Sequence, residues 1–382
     1  MNKVSSIQNF RPTGMNKSLL LATSLTAALA LSAVAQSYTV VELAPTSPVS
    51  IAYGLSSSGA VGNVSPTLST VGARATLWDG VNQIDLHPAI FDDAATGTVG
   101  RSTALGAAGN VQVGWGSGVI NSNRLSPVMW RGTAASATVL TIPFATGGGQ
   151  AVATDGKQIV GYATGVNKDG TALSTSRGIV WDVATGAATD LGDGGGSGAF
   201  VYGVGGGKQV GYVFKSLAVA AMWSGTSKSL VTMNPVNAVM SVANATDGVR
   251  QVGYAGYDVR VRVEAVKGNK DARFNYATVW TGTAASAVNI HPYPFTHSYA
   301  MSVAGSYIAG YGADAAAIGT PAYFHAIVWD GNFQFTDLNN LLPAGFVGSQ
   351  ALAVDANGNV AGYMMAADGT RHAVVWMLTA AK

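Results

Sequence analysis

The acidic side chains of this chain are few, and many of them precede glycine. Only 19 aspartates and glutamates occur among 382 residues, and seven of the aspartates stand in Asp-Gly pairs. Asp-Gly favours hairpin turns, so these carboxylates are predicted to shape turns rather than to do chemistry. The one adjacent acidic pair is Asp92-Asp93. It could bind a cation or act as an acid and base, and a solvated loop is the more ordinary interpretation.

The five histidines lack the spacing of a metal site. His87 and His291 precede a proline at one repeat position, whereas His325 and His372 share another. The sequence has no His-x-His pair, zinc-protease motif or carboxylate-rich calcium loop. It also lacks cysteine and a Gly-x-Ser-x-Gly element. Its glycine runs precede no helix that could bind phosphate. We therefore predict no catalytic residue, no metal and no cofactor.

The composition excludes some partners. Charged residues make up 10% of the chain, with 21 lysines and arginines. Three of these cations, Lys3, Arg11 and Lys17, lie near the N-terminus, which leaves 18 cations against 19 acids. A near-neutral protein has no basic field for nucleic acid or anionic membrane. We expect no nucleic-acid partner and no membrane insertion.

The first 35 residues have the pattern of a secretory signal peptide. A basic segment precedes the apolar stretch 18–31, and Ala33-Val34-Ala35 is typical of a cleavage site. The apolar stretch is too short to span a bilayer. The sequence predicts export to an extracellular or periplasmic location, with a cysteine-free mature chain of residues 36–382.

Two short motifs alternate along the mature chain. One is Val-Gly-Tyr or a close relative, beginning at Val61, Val113, Val160, Val210, Val252, Ala309 and Ala361. The other is a small residue, two apolar residues and Trp, ending at Trp78, Trp130, Trp181, Trp223, Trp280, Trp329 and Trp376. The tryptophan spacings are 52, 51, 42, 57, 49 and 47 residues. These tryptophans are predicted to be structural and to pack between neighbouring units.

The repeat predicts an all-β fold. Each unit divides into four short strands, which we call a to d. Val-Gly-Tyr ends strand b and Trp ends strand c. Units of about 50 residues with four strands are typical of β-propellers, so we predict one seven-bladed propeller of four-stranded antiparallel blades over residues 36–382. The last unit, 349–378, lacks a strand d. The N-terminal segment 38–45 resembles one and is expected to complete that blade.

The repeat units resemble those of the HAF family of extracellular repeats. The segments that carry the resemblance are FHAIVWDG from Phe324, TDL from Thr336, SQALAVDANGNVAGY from Ser349 and RHAVVW from Arg371. Only His325 and His372 hold the histidine of the family name, and its phenylalanine is replaced throughout. The resemblance implies an extracytoplasmic β-propeller and supplies no catalytic residue.

Loop variation concentrates on one predicted face. The b–c and d–a connections share a face of a four-stranded blade, and binding sites commonly lie on loops of a rigid scaffold. A charged insertion, 258–273, belongs to one b–c connection. The predicted ligand-binding residues are Phe91, Asp92, Asp93, Phe144, Arg260, Arg262, Lys267, Lys270, Arg273, Tyr293, Phe295 and Phe346.

The sequence favours a monomeric, secreted binding module over an enzyme. Its ligand would be a glycan, a polymer or a protein held on that face. One alternative is a structural component of a cell surface or matrix. A second alternative is a propeller hydrolase or lyase that uses Asp92, Asp93 or an exposed histidine. These three hypotheses make different demands on the geometry of the loop-rich face.

Overall fold

The computed structural model describes residues 36–44, 46–67, 72–80, 82–145, 147–164, 175–263, 268–314 and 323–379. The predicted signal peptide, residues 1–35, lies outside the described residues. Strands, turns and short 3-10 helices make up the described chain, and the predicted all-β class is confirmed. None of the helices in this described part has the length and apolar character needed to span a bilayer.

The strands follow one another at short intervals. The first fourteen are β1 (Ser37–Glu42), β2 (Val49–Ser56), β3 (Gly59–Ser65), β4 (Arg74–Asp79), β5 (Asn82–Asp85), β6 (Arg101–Ala108), β7 (Val111–Ser117), β8 (Ser126–Trp130), β9 (Thr138–Val139), β10 (Gly149–Thr154), β11 (Gln158–Ala163), β12 (Arg177–Asp182), β13 (Ala188–Gly192) and β14 (Gly198–Gly205). The other fourteen are β15 (Lys208–Phe214), β16 (Ala218–Trp223), β17 (Val231–Thr232), β18 (Met240–Thr246), β19 (Gln251–Val263), β20 (Gly268–Trp280), β21 (Val288–Asn289), β22 (His297–Ala304), β23 (Tyr307–Ala313), β24 (Phe324–Trp329), β25 (Phe335–Asp337), β26 (Phe346–Val354), β27 (Val360–Ala366) and β28 (Arg371–Thr379). Short 3-10 helices in the connections are Ala89–Phe91, Val119–Asn121, Ala134–Ser136, Ser227–Ser229, Ala284–Ser286 and Leu338–Leu341.

The prediction of seven four-stranded blades is wrong. Five four-stranded sheets form, which we number blades I (β6–β9), II (β10–β13), III (β14–β17), IV (β18–β21) and V (β22–β25). The strands β26–β28 and β1–β5 belong to one eight-stranded sheet. A parallel bridge between Val49 and Arg371 joins β2 to β28. The bridge forms because β1 pairs with β28 only over Val374–Thr379, which leaves the first residues of β28 beside β2.

Strands a and b explain the glycine of Val-Gly-Tyr. Strand a is β2, β6, β10, β14, β18, β22 or β26, and each of these pairs with the next strand through a register shift, as between Val201 and Gly203 in blade III. A Cβ on Gly211 would lie 1.9 Å from the Phe200 carbonyl oxygen, and the equivalent glycines are as crowded. Only glycine fits so close to a neighbouring backbone.

The apolar cores lie between neighbouring sheets. Trp223 of blade III packs with Val160 and Val180 of blade II. Trp78 is 2% exposed, and the other six repeat tryptophans are fully buried. Burying an aromatic side chain of this size gives a large hydrophobic stabilisation. The recurrent tryptophan therefore holds the sheets in a fixed arrangement around the strands a.

Candidate functional site: an aromatic funnel

The prediction that Phe91 contacts a ligand is wrong, because Phe91 is core. Its side chain is 2% exposed and packs with Leu86, Val128 and Trp130. A Cβ on Gly116 would lie 2.0 Å from the Phe91 ring, so strand β7 runs directly over it. A phenylalanine in a d–a connection can therefore point into the seam between two sheets.

The other predicted loop phenylalanines are half-buried against basic or imidazole side chains. Phe295 contacts His325 with ring centroids 5.2 Å apart, and Phe346 contacts His372 at the same distance. Phe144 lies 6.0 Å below the Arg177 guanidinium. These contacts use a face or an edge of each ring. Phe144 and Phe295 lie in connections between units and Phe346 begins β26, and none of the three is among the described residues that line the cavity described below.

Each of those basic side chains is paired with an acid on strand d. His325 Nδ1 lies 2.8 Å from Asp337, and Arg177 lies 2.6 Å from Asp190. His372 makes the same contact with Glu42 of β1, at 2.6 Å. The hydrogen bond to Asp337 raises the pKa of His325 above its usual value, against the opposing effect of burial. His325 and His372 are thus each held in place by a contact with a carboxylate.

Asp92 belongs to a chain of polar contacts that resembles a catalytic triad. The Ser102 hydroxyl lies 2.7 Å from His87 Nδ1, and His87 Nε2 lies 2.9 Å from Asp92. Burial raises the pKa of Asp92, but hydrogen bonds from His87 and the Gly100 N–H outweigh it and lower the pKa. Ser102 is fully buried and accepts the Ala75 N–H. A substrate cannot reach this serine.

The same serine contact recurs at other seams. Ser298 accepts the Ala277 N–H and contacts His291, and Ser349 accepts the Ala326 N–H and donates to Asn339. The function of this contact is therefore to join strand c of one unit to strand a of the next. Beside the first seam, Asp93 accepts the Thr96 hydroxyl and the Ala95 N–H, which lower its pKa. It serves the turn of an exposed connection.

The charged insertion extends blade IV. Strands β19 and β20 are each 13 residues long and pair from Gln251–Trp280 to Val263–Gly268. Arg273 forms an ion pair with Asp258, at 2.8 Å. Lys267 and the side chains of Arg260, Arg262 and Lys270 lie outside the described residues. Tyr293, in the connection that follows blade IV, is 85% exposed.

A cavity of about 400 Å³ is lined by tyrosines that were not among the predicted ligand-binding residues. Tyr212, Tyr254 and Tyr311 are the tyrosines of Val-Gly-Tyr in blades III, IV and V, and Tyr202 and Tyr299 lie on strands a. We call these five side chains the aromatic funnel. Strand a begins and strand b ends on the face of the d–a and b–c connections. The funnel therefore opens on the face where binding was predicted.

Ring contacts order the funnel. Tyr299 stacks on Tyr311 with centroids 4.9 Å apart and meets the edge of Tyr254 at the same distance. Phe200 stacks on Tyr212 at 5.0 Å. Tyr202 meets Tyr212 at 5.7 Å. The funnel residues are all partly exposed. Rings packed edge to face in this way present fixed surfaces to a ligand.

The phenol groups of the funnel are close enough to affect one another. Burial, followed by the neighbouring Tyr299 and Tyr212, raises the pKa of Tyr254 to about 12. Burial also raises the pKa values of Tyr202 and Tyr311. These three phenols are therefore neutral at physiological pH, and a neutral phenol can both donate and accept a hydrogen bond.

A second cavity, of about 680 Å³, lies on the side of the a–b turns. The extra residue of each strand-a bulge lines it, including Leu105, Val152 and Leu352. Tyr202, Asn244 and Met301 line both cavities. The funnel thus continues into an apolar space between the strands a.

The repeated tyrosine of Val-Gly-Tyr is a sequence pattern that indicates the funnel. The Val-Gly-Tyr aromatic is needed neither for the glycine contact nor for the tryptophan core. A repeated tyrosine without a packing role next to strand a could have indicated an exposed aromatic ring. For Phe91 the sequence was misleading in the opposite way, because its position in a connection does not show that its side chain is exposed.

The four-stranded blades packed around one axis decide the fold. The fold is a β-propeller. A similar solved structure is the β-propeller domain of the Trilobed protease from Pyrococcus furiosus, described as having an open velcro topology. Its TM-score is 0.50 at 12% identity, over 86% of this chain and 93% of that one. At this identity the likeness shows the fold alone.

Other similarities are weaker. The Pyrococcus horikoshii acylaminoacyl peptidase has a TM-score of 0.42 at 12% identity, over 75% of this chain and 46% of that one. A Bacteroides thetaiotaomicron protein of unknown function has a TM-score of 0.37 at 10% identity, over 90% of this chain and 95% of that one. No protein-family model matches the chain, and no curated protein matches it.

Proposed function

We propose that this propeller is an extracytoplasmic binding module that holds a glycan in the aromatic funnel. The observation that carries the proposal is the set of five partly exposed tyrosines around a cavity of about 400 Å³. Ligand pockets in proteins commonly have volumes of about 300–1,000 Å³ and combine apolar walls with a few polar groups. The pattern of residues 1–35 supports an extracytoplasmic location.

The chemistry of tyrosine suits a sugar. A pyranose has one face of C–H groups, which packs on an aromatic ring, and a rim of hydroxyls. Tyrosine offers a rigid apolar face and a polar tip, and it loses little side-chain entropy on binding. The stacked pair Tyr299–Tyr311 and the ring of Tyr254 give two differently oriented faces. Several sugar faces could then be held at once.

The contacts favour binding over the two other hypotheses. An enzyme of the predicted kind would use Asp92, Asp93 or an exposed histidine, and none of these is among the described residues that line the funnel cavity. A purely structural role would leave the exposed phenols unexplained. The resemblance to HAF repeats agrees with an extracytoplasmic module and stays a prediction.

The experiment is a binding comparison on residues 36–382. The protein is screened against a panel of polysaccharides by calorimetry or glycan array, together with Tyr254→Ala and Tyr311→Ala variants. Tyr293→Ala is the matched control, since Tyr293 is 85% exposed in a connection on the same face. We expect each funnel variant to weaken binding at least about tenfold, or about 1.4 kcal/mol.

Two results would contradict the proposal. One is unchanged binding in both funnel variants that retain the wild-type melting profile. The other is an equal loss in the Tyr293→Ala control, which would place the ligand on the connections instead. Failure of every polysaccharide to bind would remove the glycan from the proposal altogether.

A further inference from the structure

One sector of the propeller differs from the tyrosine-rich blades. At the strand-b position that holds tyrosine in blades II to V, the eight-stranded sheet has Asn63 in β3, and blade I has Trp115. Asn63 is 3% exposed, so this position offers no aromatic surface. Two exposed arginines, Arg371 and Arg101, lie in the same sector. The other strand b of that sheet, β27, keeps a tyrosine, Tyr363. The sector therefore combines positive charge with less tyrosine surface.

Both arginines stand at strand ends on the funnel face. Arg371 is the first residue of β28 and bridges Val49, the first residue of β2. Arg101 is the first residue of β6, and β6 packs beside β2, where a Cβ on Gly54 would lie 3.1 Å from the Gly106 Cα. The two side chains thus begin on neighbouring elements at the same edge of the propeller.

Aromatic rings lie beneath both guanidinium groups. The Arg371 guanidinium carbon lies 5.2 Å from the centroid of the Tyr363 ring, and that of Arg101 lies 5.8 Å from Trp115. Cation–π contact at such distances orients the planar group without using its N–H donors. Tyr53 is a further aromatic side chain near Arg371. Burial raises the pKa of its phenol, and the positive charge of Arg371 opposes that rise.

The two arginines differ from others in having no acid partner. Arg74 is paired with Asp85, Arg177 with Asp190 and Arg273 with Asp258. Within the described ranges, Arg371 and Arg101 make no side-chain hydrogen bond and no ion pair. The nearby acids are themselves engaged, since Glu42 binds His372 and Asp92 binds His87. Positive charge in this sector is therefore left for a ligand.

We propose that the ligand is an acidic glycan whose uronate carboxylates bind Arg371 and Arg101 while the tyrosines hold its sugar faces. This inference rests on the proposed glycan-binding function. A guanidinium forms two parallel hydrogen bonds with one carboxylate, and such charge-assisted pairs are roughly twice as strong as neutral ones. The funnel then has a direction, with neutral stacking in blades III to V and anion recognition beside the eight-stranded sheet.

The experiment compares uronate polymers of several sugars and linkages with their carboxyl-reduced, neutral forms. Binding to residues 36–382 is measured for the unmodified chain and for Arg371→Gln, Arg101→Gln and Arg371→Lys variants. Arg131→Gln is the matched control, because Arg131 is an exposed arginine in a c–d turn, on the opposite face. Sulfated neutral-sugar polymers form a separate arm.

The expected result is at least about tenfold tighter binding of one uronate polymer than of its reduced form. Arg371→Gln should remove most of that difference, Arg371→Lys should keep part of it, and Arg131→Gln should not change it. Added salt should weaken the acidic polymer more than the neutral one.

Three outcomes overturn the inference. Equal binding of the acidic and reduced polymers, with loss in Tyr254→Ala, would leave the glycan function standing without the acidic ligand. Binding confined to sulfated polymers would replace carboxylate with another oxyanion. If no polymer binds the unmodified chain, the acidic ligand and the glycan-binding function both fall.

Discussion

Phe91, in a d–a connection, and the strand-b tyrosines of blades IV and V differ in how far their side chains are exposed. Phe91, from a connection, is 2% exposed and packs beneath strand β7. Tyr254 and Tyr311, from strand b, stand partly exposed around a cavity. Position in a connection therefore does not decide exposure, since Phe91 is core while Tyr293 is 85% exposed, and a regular strand b can supply exposed aromatic surface.

The difference follows from the geometry of the repeat. A d–a connection crosses from the outer strand of one sheet to the inner strand of the next, so its side chains pass over the seam between them. Apolar side chains there gain more by entering the seam than by facing water. Strand b lies next to the inner strand a, and its tyrosines in blades III to V line the funnel cavity and stay partly exposed. An irregular segment is therefore no guide to exposure in this fold.

Replacing Phe91 by alanine tests the buried side of this comparison and should have the largest effect. Removing a fully buried phenylalanine costs about 3–5 kcal/mol of unfolding free energy, because a cavity is left as well as lost burial. Denaturant unfolding of the mature chain measures the change. Tyr293 is an exposed aromatic residue in another d–a connection, and Tyr293→Ala should change the free energy of unfolding by less than about 0.5 kcal/mol. Similar losses in both variants would contradict the distinction.

Replacing Ser298 by alanine tests the polar contact that holds a connection to its seam. The buried Ala277 N–H loses its acceptor, and an unsatisfied buried donor costs about 1–3 kcal/mol. His291 loses its 2.8 Å contact at the same time. Ser306→Ala is the control, because Ser306 is exposed in the following a–b turn. A loss in stability no greater than that of the control would show that the contact is not needed.

The repeat spacing was sufficient to predict strands and core but not sheet boundaries. The tryptophans recur because each strand c places one large side chain in a seam, and the glycines recur because each strand b passes close to a bulge. These packing requirements are local to each unit, so the residues that meet them recur at the same position of every repeat. The join between the last unit and the first depends instead on pairing at the start of β28, where Arg371 lies beyond the residues paired with β1 and bridges Val49. A similar parallel bridge, between Ser176 and Gly198, lies between blades II and III, so the repeat spacing does not show which neighbouring units share a sheet.

The proposed funnel lies on the face that was predicted to bind a ligand, but on different residues. Charge and variation in the connections indicated the face of the d–a and b–c loops. They did not show that Phe295 and Phe346 pack against histidines, since the partners His325 and His372 lie on strands c. Pairing across sequence distance has to be seen in the structure. The repeated tyrosine was visible, and only its position beside an uncovered inner strand gives it a surface.

Replacing Tyr299 by phenylalanine separates ring from hydroxyl in the exposed set. The ring contacts with Tyr254 and Tyr311 are kept, whereas the 2.9 Å hydrogen bond from the Asn275 amide is lost. We expect a cost of about 0.5–1.5 kcal/mol in unfolding free energy, typical of one hydrogen bond. If the phenol also binds a ligand hydroxyl, glycan affinity should fall more than stability does. Equal unfolding curves together with unchanged affinity would assign the hydroxyl no role.

The smallest effect is expected from the pH dependence of His325, the histidine that packs against Phe295 of a d–a connection. Asp337 raises the pKa of His325, so this pair stabilises the fold fully below the unfolded value of about 6.5. The contribution is lost as the pH rises through the folded pKa. Burial lowers the pKa of His291, so the titration midpoint of His291 should lie below the usual histidine value, and it serves as an internal control. An NMR titration measures both midpoints. In Asp337→Asn the His325 midpoint should fall toward or below its usual value, and an unchanged midpoint would show that the ion pair does not control it.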